Sequence, residues 1–245
     1  MSPSNVTTAD IADRTSQWYE HYKREKCGRE MMLWSPDVLV HRLAWDVSTL
    51  RALRAASRAA ALDLKATRIL DVGCANGASI VHFLHLGFTP DNLYGIDIRA
   101  NEIADAKARY PAIHFTNGSA AEMPYDDGWF DVVCCRSFFI AIPDDELAAA
   151  IAREMVRVTR PGGAVLIQDW IYAPPGNRDF KGVTWKRIAR LFDVGRATRY
   201  VTRYNGALVP PIGRPISRFL PSLYLLTARL LPFLVGQRST LLLKA

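Results

Sequence analysis

The 245-residue chain has the composition of an ordinary globular protein, with 49% hydrophobic and 22% charged residues. This excludes collagen, a coiled coil and a wholly disordered chain, and the length suits one α/β domain. The net charge of +7 is uneven, because residues 181–245 carry +11 with Asp193 as their single acidic residue, and residues 1–180 carry −4. A slightly acidic body therefore precedes a strongly basic C-terminal quarter.

Two helical segments are predicted at the front of the chain, over 15–27 and 31–64. In the second, Ser35-Pro36-Asp37 supplies an N-cap oxygen, a first-turn proline and an early acid. Short apolar runs then alternate with helical patterns. Strands are predicted at 67–72, 93–98, 112–116, 130–136, 164–169, 197–204 and 239–244, and helices at 77–87, 100–110, 144–159, 180–193 and 214–234.

This alternation predicts a Rossmann-like α/β fold, with a doubly wound, mostly parallel seven-stranded sheet and helices on both faces. Residues 1–64 are expected to form an N-terminal helical cover and residues 65–245 the core. No repeat and no low-complexity linker separates them, so we expect one domain overall.

Cysteine and histidine spacing gives no sign of a zinc site or a disulfide framework, so no metal is predicted. His82 and His85 lie three apart without an acidic cluster near them. The N-terminal sequence is polar, and prolines and arginines interrupt the most apolar stretch, 216–236. We therefore expect a cytoplasmic protein with reduced thiols at Cys27, Cys74, Cys134 and Cys135.

The first predicted strand leads into a turn of small residues, Asp71-Val72-Gly73-Cys74-Ala75-Asn76-Gly77. Alanines at 75 and 78 make it a weak match to a dinucleotide fingerprint. Asp71 beside the turn would repel a pyrophosphate but favour an ammonium or sulfonium group. Asp97, at the end of the second strand, supplies acceptors suited to ribose hydroxyls. S-adenosylmethionine is the common ligand that has both a ribose and a cationic amino-acid end.

Four segments in this order resemble the motifs of the class I S-adenosylmethionine-dependent methyltransferase family, over about residues 65–170. They are ILDVGCANG for the first motif, YGIDI for the second, GSAAEMPYDDGWFDVV for the third and fourth, and RVTRPGG for the turn before the fifth strand. The resemblance implies methyl transfer from S-adenosylmethionine, with S-adenosylhomocysteine as product.

The same resemblance implies a role for each matching position. The loop from Asp71 to Gly77 would surround the methionine part, and Asp97 would hold the ribose. Ser119 and Ala120 would lie at the edge of the adenine, and Arg136 near the methionine carboxylate. Ala75 stands where glycine is usual, and Ser119 where many members carry Asp. The implied cofactor contacts are Asp71, Gly73, Ala75, Gly77, Asp97, Ile98, Ser119, Ala120 and Arg136.

The sequence is less informative about the atom that receives the methyl group. An alcohol acceptor needs a base to remove its proton. Asp169, at the end of the predicted fifth strand, is the first candidate, and a structural carboxylate that caps the next loop is the alternative. His21 is the second candidate, against a solvated surface histidine. Tyr19 and Tyr22 lie on one helical face, where they either close over the cofactor or simply pack.

The two ends of the chain resemble a narrower set of bacterial O-methyltransferases of glycans, lipid-linked sugars or secondary metabolites. The segments are REMMLWSPDVLVHRLAWD and PPIGRPISRFLPSLYLLTARLLPFL. The favoured activity is therefore O-methylation of a small molecule or glycan. The alternatives are N- or C-methylation of a secondary metabolite, RNA methylation, and S-adenosylmethionine binding without catalysis.

The basic tail has three candidate partners. It serves an anionic acceptor, or it lies on the inner face of an anionic membrane, or it binds RNA. RNA ranks third, because the arginines lack interleaved aromatic residues. The structural alternative is a last core helix over 216–235 that covers the sheet before an edge strand. On a membrane, the inward side chains would be Phe219, Leu220, Leu225, Leu226 and Leu230.

Overall fold

The computed structural model describes Gln17 and residues 38–245, where seven strands form one sheet. The strands are β1 (Ile69–Val72), β2 (Leu93–Asp97), β3 (His114–Asn117), β4 (Phe130–Arg136), β5 (Thr159–Trp170), β6 (Thr198–Asn205) and β7 (Gln237–Lys244). Their order is β3-β2-β1-β4-β5-β7-β6. Strands β1 to β5 pair in parallel, and β7 runs antiparallel between β5 and β6. The predicted mostly parallel seven-stranded sheet is confirmed.

Helices cover both faces of the sheet. They are α1 (Leu39–Ala59), α2 (Val81–His85), α3 (Ala100–Arg109), α4 (Asp145–Val158), α5 (Trp185–Leu191), α6 (Pro210–Phe219) and α7 (Tyr224–Leu230). One core cluster joins α4 and α5 to the sheet and includes Met155 and Ile188. The other joins α1, α2 and α3 to the opposite face and includes Ala56, Phe83 and Ile103. The predicted boundary at residue 64 falls between α1 and β1, and the division into cover and core stays a prediction.

Helix α4 shows how local sequence sets an element. Asp144 is its N-cap, and the carboxylate accepts hydrogen bonds from the backbone N–H groups of Glu146 at 2.7 Å and Leu147 at 3.1 Å. Ile151 and Met155 follow at helical spacing and are buried against the sheet. The predicted helix over 144–159 is therefore found, and its last turn leads directly into β5.

Three sequence-based expectations about elements need correction. The helix expected over 77–87 is helical only from Val81 to His85, because the turn conformation that begins at Gly77 delays its start. The helix expected over 214–234 is divided, since Pro221 and Pro232 each begin a short 3₁₀ turn. The last strand is not an edge strand, because β7 lies inside the sheet and β6 forms its edge.

The connection between β6 and β7, residues 206–236, lies at a defined edge of the sheet. Strand β7 is antiparallel to both β5 and β6, so β6 runs in the same direction as β1 to β5. The end of β6 and the start of β7 therefore meet at the edge where β1, β2 and β4 end. Parallel sheets of this type bind ligands at that carboxyl edge. Among the described residues no helix is long and apolar enough to cross a bilayer.

Candidate functional site

The loop after β1 has three residues in the left-handed backbone region. The φ angles are +73° at Gly73, +47° at Ala75 and +76° at Gly77. A side chain at Gly73 would enter the ring of Phe138, and a Cβ at Gly77 would lie 2.9 Å from the ring of Phe115. Ala75 adopts this conformation despite its methyl group, at a cost of about 1 kcal/mol. Glycine at 73 and 77 therefore lets the loop backbone pack directly against the rings of Phe138 and Phe115.

Three charged groups meet beside this loop on one face of the sheet. Asp71 pairs with Gly95 of β2 and with Cys134 of β4. Asp97 and Arg136 lie two residues beyond those partners, so strand alternation places all three side chains on the same face, towards α1, α2 and α3. The structure thus brings together the residues predicted for the sulfonium, the ribose and the methionine carboxylate.

Asp71 is a buried carboxylate with one unused oxygen. Its side chain is 1% exposed, and Oδ1 accepts a weak hydrogen bond from the Cys134 thiol at 3.8 Å. Oδ2 has no hydrogen-bond partner among the described residues. Burial raises the pKa of Asp71 to about 7, and the positive charge of Arg136 acts in the opposite direction. A cationic ligand at the loop would complement this carboxylate.

Arg136 also keeps one buried nitrogen unpaired. Its Nε donates to Gln168 Oε1 at 2.7 Å, and Nη2 donates to Asp46 Oδ1 at 2.9 Å. Nη1 is buried without a hydrogen-bond partner among residues 38–245. His82 Nε2 lies 3.3 Å from the same oxygen of Asp46. Burial and the nearby charge of Arg136 lower the pKa of Arg42. The Asp46 carboxylate thus lies near two arginines, so the net charge of this group is positive and favours a second anion.

Asp97 is held in place by the chain itself. Oδ2 accepts from the Ala75 N–H at 2.9 Å, and Oδ1 accepts from the Arg99 N–H at 3.0 Å and from Arg99 Nε at 3.1 Å. Arg99 Nη1 also pairs with Glu102 at 3.6 Å. Two ribose hydroxyls would need the positions that the Arg99 guanidinium takes. The ribose role of Asp97 therefore stays a prediction, and it would require Arg99 to move away from the two carboxylate oxygens.

The residues predicted for the adenine lie beside the end of β2. Asn117 Nδ2 donates to the carbonyls of Asp97 at 3.0 Å and Ile98 at 2.9 Å, which ties β3 to β2. Ser119 Oγ accepts from the Ala121 N–H at 3.2 Å, and Ala120 packs against the core. The adenine position of these residues stays a prediction, and their proximity to Asp97 is compatible with it.

Asp169 lies on the opposite face of the sheet from Asp71. It is 3% exposed, and Oδ2 accepts from the N–H groups of Phe138 at 3.1 Å and Ile140 at 3.3 Å. Oδ1 accepts from the Trp170 N–H at 2.8 Å. This is the geometry of a structural cap. Burial also raises the pKa of Asp169 to about 7, a value that suits a general base near neutral pH. The structural role is therefore observed, and the catalytic role stays a prediction.

Asp169 also lines a small cavity. Its volume is about 60 Å³, and Trp185, Arg203 and Arg238 contribute to its wall. Arg238 Nη2 donates to the Pro232 carbonyl at 3.3 Å. The candidates His21, Tyr19 and Tyr22 lie outside the described residues. The described cysteines are free and buried, as predicted: Cys74, Cys134 and Cys135.

Sequence reasoning missed the polar network that links α1 to the site. Asp46 and Gln168 fix Arg136, and Gln168 Nε2 also donates to the Trp45 carbonyl at 2.8 Å. Asp46 is the one acidic residue of α1, whose charged residues are otherwise basic, and this contrast was the signal that could have identified it. Within residues 38–245 no group of three or more His, Cys, Asp or Glu side chains is placed to hold a metal ion.

Residues 69–163 match the family model of a methyltransferase domain. The chain is 34% identical over 139 residues to the probable methyltransferase ltbC of Aspergillus luteorubrus, covering 51% of this chain and 48% of that one. It is 30% identical over 160 residues to a demethylmenaquinone methyltransferase of Streptomyces griseus, with 65% and 59% covered. The chain therefore spans about half the length of the curated relatives it matches.

Solved structures share the fold at low sequence identity. The magnesium protoporphyrin IX methyltransferase of Synechocystis, with bound S-adenosylhomocysteine, aligns with a TM-score of 0.66 and 14% identity, over 98% of this chain and 100% of that one. The [4+2]-cyclase SpnF aligns with a TM-score of 0.55 and 16% identity, over 79% and 80%. Since one of these proteins is named as a cyclase, the shared fold does not by itself fix the reaction.

Proposed function

Because the chain belongs to the class I S-adenosylmethionine-dependent methyltransferase family, we propose that it methylates a hydroxyl of a small molecule or glycan. One observation carries the proposal. At the carboxyl edge, beside the left-handed loop, Asp71 Oδ2 and Arg136 Nη1 are both buried and both lack a partner among the described residues. Buried polar atoms are rarely left unpaired, so this pair indicates a zwitterionic ligand.

The donor set fits S-adenosylmethionine. When bound, this cofactor supplies a methyl group on a cationic sulfonium, and transfer to an alcohol oxygen leaves S-adenosylhomocysteine and a proton. Arg136 Nη1 would donate to the methionine carboxylate, and the charge of Asp71 would favour the cationic end. Asp97 would accept from the ribose hydroxyls once Arg99 has moved. Asp169 and His21 are the two candidates to take the acceptor proton.

Oxygen as the methylated atom is supported by the names of relatives. A tocopherol O-methyltransferase of Arabidopsis thaliana is 32% identical over 114 residues, and a fatty-acid O-methyltransferase of Mycolicibacterium smegmatis is 30% identical over 115 residues. These names favour a small apolar acceptor over a glycan. This chain aligns with no more than 40% of the length of either relative, so an oxygen acceptor is part of the proposal and is not established by these names.

Titration calorimetry with S-adenosylmethionine tests the proposed cofactor site. We expect Asp97→Ala to weaken binding by about 10²-fold, because two charge-assisted hydrogen bonds to the ribose are lost. Asp97→Asn keeps an acceptor for the Ala75 N–H and serves as the variant that preserves the loop. Asp105→Ala, on the exposed side of α3, is the matched control and should bind as the wild type does.

Release of S-adenosylhomocysteine in the presence of hydroxylated acceptors then tests catalysis. Cofactor binding without release from any acceptor class would favour the non-catalytic alternative. Absence of binding heat from the folded wild-type chain would contradict both. Methylated product identified by mass spectrometry distinguishes oxygen from nitrogen or carbon as the accepting atom.

A further inference from the structure

Residues 210–234, here called the apolar segment, expose an unusual number of large hydrophobic side chains. The segment contains α6, α7 and two 3₁₀ turns. Phe219 is 70% exposed, Phe233 67% and Leu230 66%. The exposed set is Phe219, Leu220, Leu223, Leu225, Leu226, Leu230, Leu231 and Phe233. Exposed apolar residues are normal when scattered, but a contiguous group marks a binding surface.

The apolar segment is anchored to the body by its other face. The Tyr224 hydroxyl is 2.7 Å from His41 Nδ1 of α1 and accepts from the Leu208 N–H at 2.9 Å. Ala228 and Val235 are buried in the same cluster. The expected core helix is thus found only in part, since this anchoring face packs inward and the leucines point outward. A fixed element presents the apolar surface.

Charge distinguishes the possible occupants of this surface. Arg214, Arg218 and Arg229 are exposed within the apolar segment, and no acidic residue occurs between 194 and 245. The Arg218 guanidinium lies 5.1 Å from the centre of the Phe219 ring. Apolar side chains beside arginines are typical of elements that lie in the headgroup region of anionic bilayers.

We propose that the apolar segment docks the protein on the surface of an anionic lipid bilayer. Phe219, Leu230 and Phe233 would enter the boundary between headgroups and acyl chains, and Arg229 would contact lipid phosphates. A second copy of the chain fits less well, because residues 210–234 contain three arginines and no acidic residue, so two copies of the apolar segment would repel each other. RNA would pair with the arginines but would leave the leucines and phenylalanines exposed.

The position of the apolar segment gives the docking a consequence. The segment connects β6 to β7 and therefore lies at the carboxyl edge, where Asp71 and Arg136 also lie. Docking would turn the acceptor side of the fold towards the bilayer. The inference itself rests on the surface alone and stands whether or not the chain transfers a methyl group.

Co-sedimentation with large unilamellar vesicles tests the proposal. The full chain should bind vesicles of equal parts phosphatidylcholine and phosphatidylglycerol. It should bind vesicles of pure phosphatidylcholine at least about fivefold more weakly, because an arginine near an anionic surface is attracted to the lipid phosphates there. The double substitution Leu230→Ser with Phe233→Ser should lower the partition coefficient by about 10²-fold.

Matched controls come from the opposite edge of the sheet. Leu64→Ser with Trp129→Ser removes two exposed apolar residues there and should leave vesicle binding unchanged. Arg229→Gln should weaken binding to anionic vesicles by about fivefold, whereas Arg109→Gln at the end of α3 should not. Circular dichroism and thermal melts verify that each variant is folded, and the arginine pair keeps the test valid if the double serine variant does not fold.

Three results would overturn the proposal. The first is a folded wild-type chain that does not sediment with anionic vesicles. The second is an equal loss of binding in the two double variants. The third is a dimer in multi-angle light scattering that the Leu230→Ser/Phe233→Ser variant dissociates, without vesicle binding by the wild type, since the surface would then be a contact between two copies.

Discussion

Asp71 links cofactor binding to proton release. Burial raises its pKa to about 7, so about half of this carboxyl is protonated at neutral pH. A cation at the loop favours the carboxylate and lowers that pKa. We expect S-adenosylmethionine binding at pH 7 to release about half a proton from Asp71. Calorimetry in buffers of different ionisation enthalpy measures the release, and Asp71→Asn should abolish this contribution.

The stability of the same variant provides a second readout. The folded state raises the pKa of Asp71 from 3.8 to about 7, so the folded chain holds this proton more tightly than the unfolded chain. The wild type therefore loses stability as pH rises through that range. The stability gain of Asp71→Asn over the wild type should grow between about pH 4 and about pH 7 and stay constant above it. A pH-independent difference would contradict the assigned pKa.

Asp169 presents two roles that one substitution separates. Its carboxylate accepts two backbone hydrogen bonds from the turn after β4 and a third from Trp170 at the end of β5. In Asp169→Asn the amide group must direct donors at one of these N–H groups, so we expect a loss of about 1–3 kcal/mol in the free energy of unfolding. Urea denaturation measures it. Wild-type stability with turnover reduced about 10²-fold or more would instead assign Asp169 as the general base.

At the scale of elements, the strands were predictable and the long-range contacts were not. A buried parallel strand is a short apolar run, and β1, β2 and β4 follow that pattern. The helix predicted over 144–159 is similarly found, and it begins after its N-cap Asp144. Signals of this kind depend only on residues that are close in sequence, so they can be recognised without knowledge of the fold.

The contacts that complete the site cross long stretches of sequence. Asp46 and Arg136 are 90 residues apart, and only the packing of α1 over the end of β4 brings them within 2.9 Å. One local contact was also missed: Arg99 lies only two residues after Asp97, yet the sequence did not indicate that its side chain folds back onto the carboxylate expected to face a ribose. Motif reasoning thus located the cofactor edge of the sheet, while the partners that hold each side chain came from the structure.

The apolar segment shows a limit of periodicity as a guide. Apolar residues at helical spacing predict a buried face, yet proline breaks and the Tyr224 anchor turn most of the leucines outward. Hydropathy records which side chains avoid water, but not what they contact instead. From the sequence alone, the apolar residues of this segment fit a core helix and a membrane surface equally. The fold separates the two, because it buries Tyr224, Ala228 and Val235 and leaves the other face exposed.

At the scale of the whole molecule, charge and hydrophobic surface act at the same edge. Residues 181–245 carry +11, and the apolar segment of this region lies at the carboxyl edge with the proposed cofactor site. The buried charges of that site are shielded from solvent ions, whereas the arginines of the apolar segment are exposed. Ionic strength should therefore affect the two binding events differently.

We expect salt to separate vesicle binding from cofactor binding. Raising the salt from about 0.1 M to about 1 M shortens the Debye length from about 10 Å to about 3 Å, which screens exposed arginines from lipid phosphates. Association with anionic vesicles should fall about tenfold, and the dissociation constant for S-adenosylmethionine should change less than about twofold. Arg229→Gln should reduce the salt dependence. Vesicle binding that is indifferent to salt would assign the attachment to the leucines and phenylalanines alone.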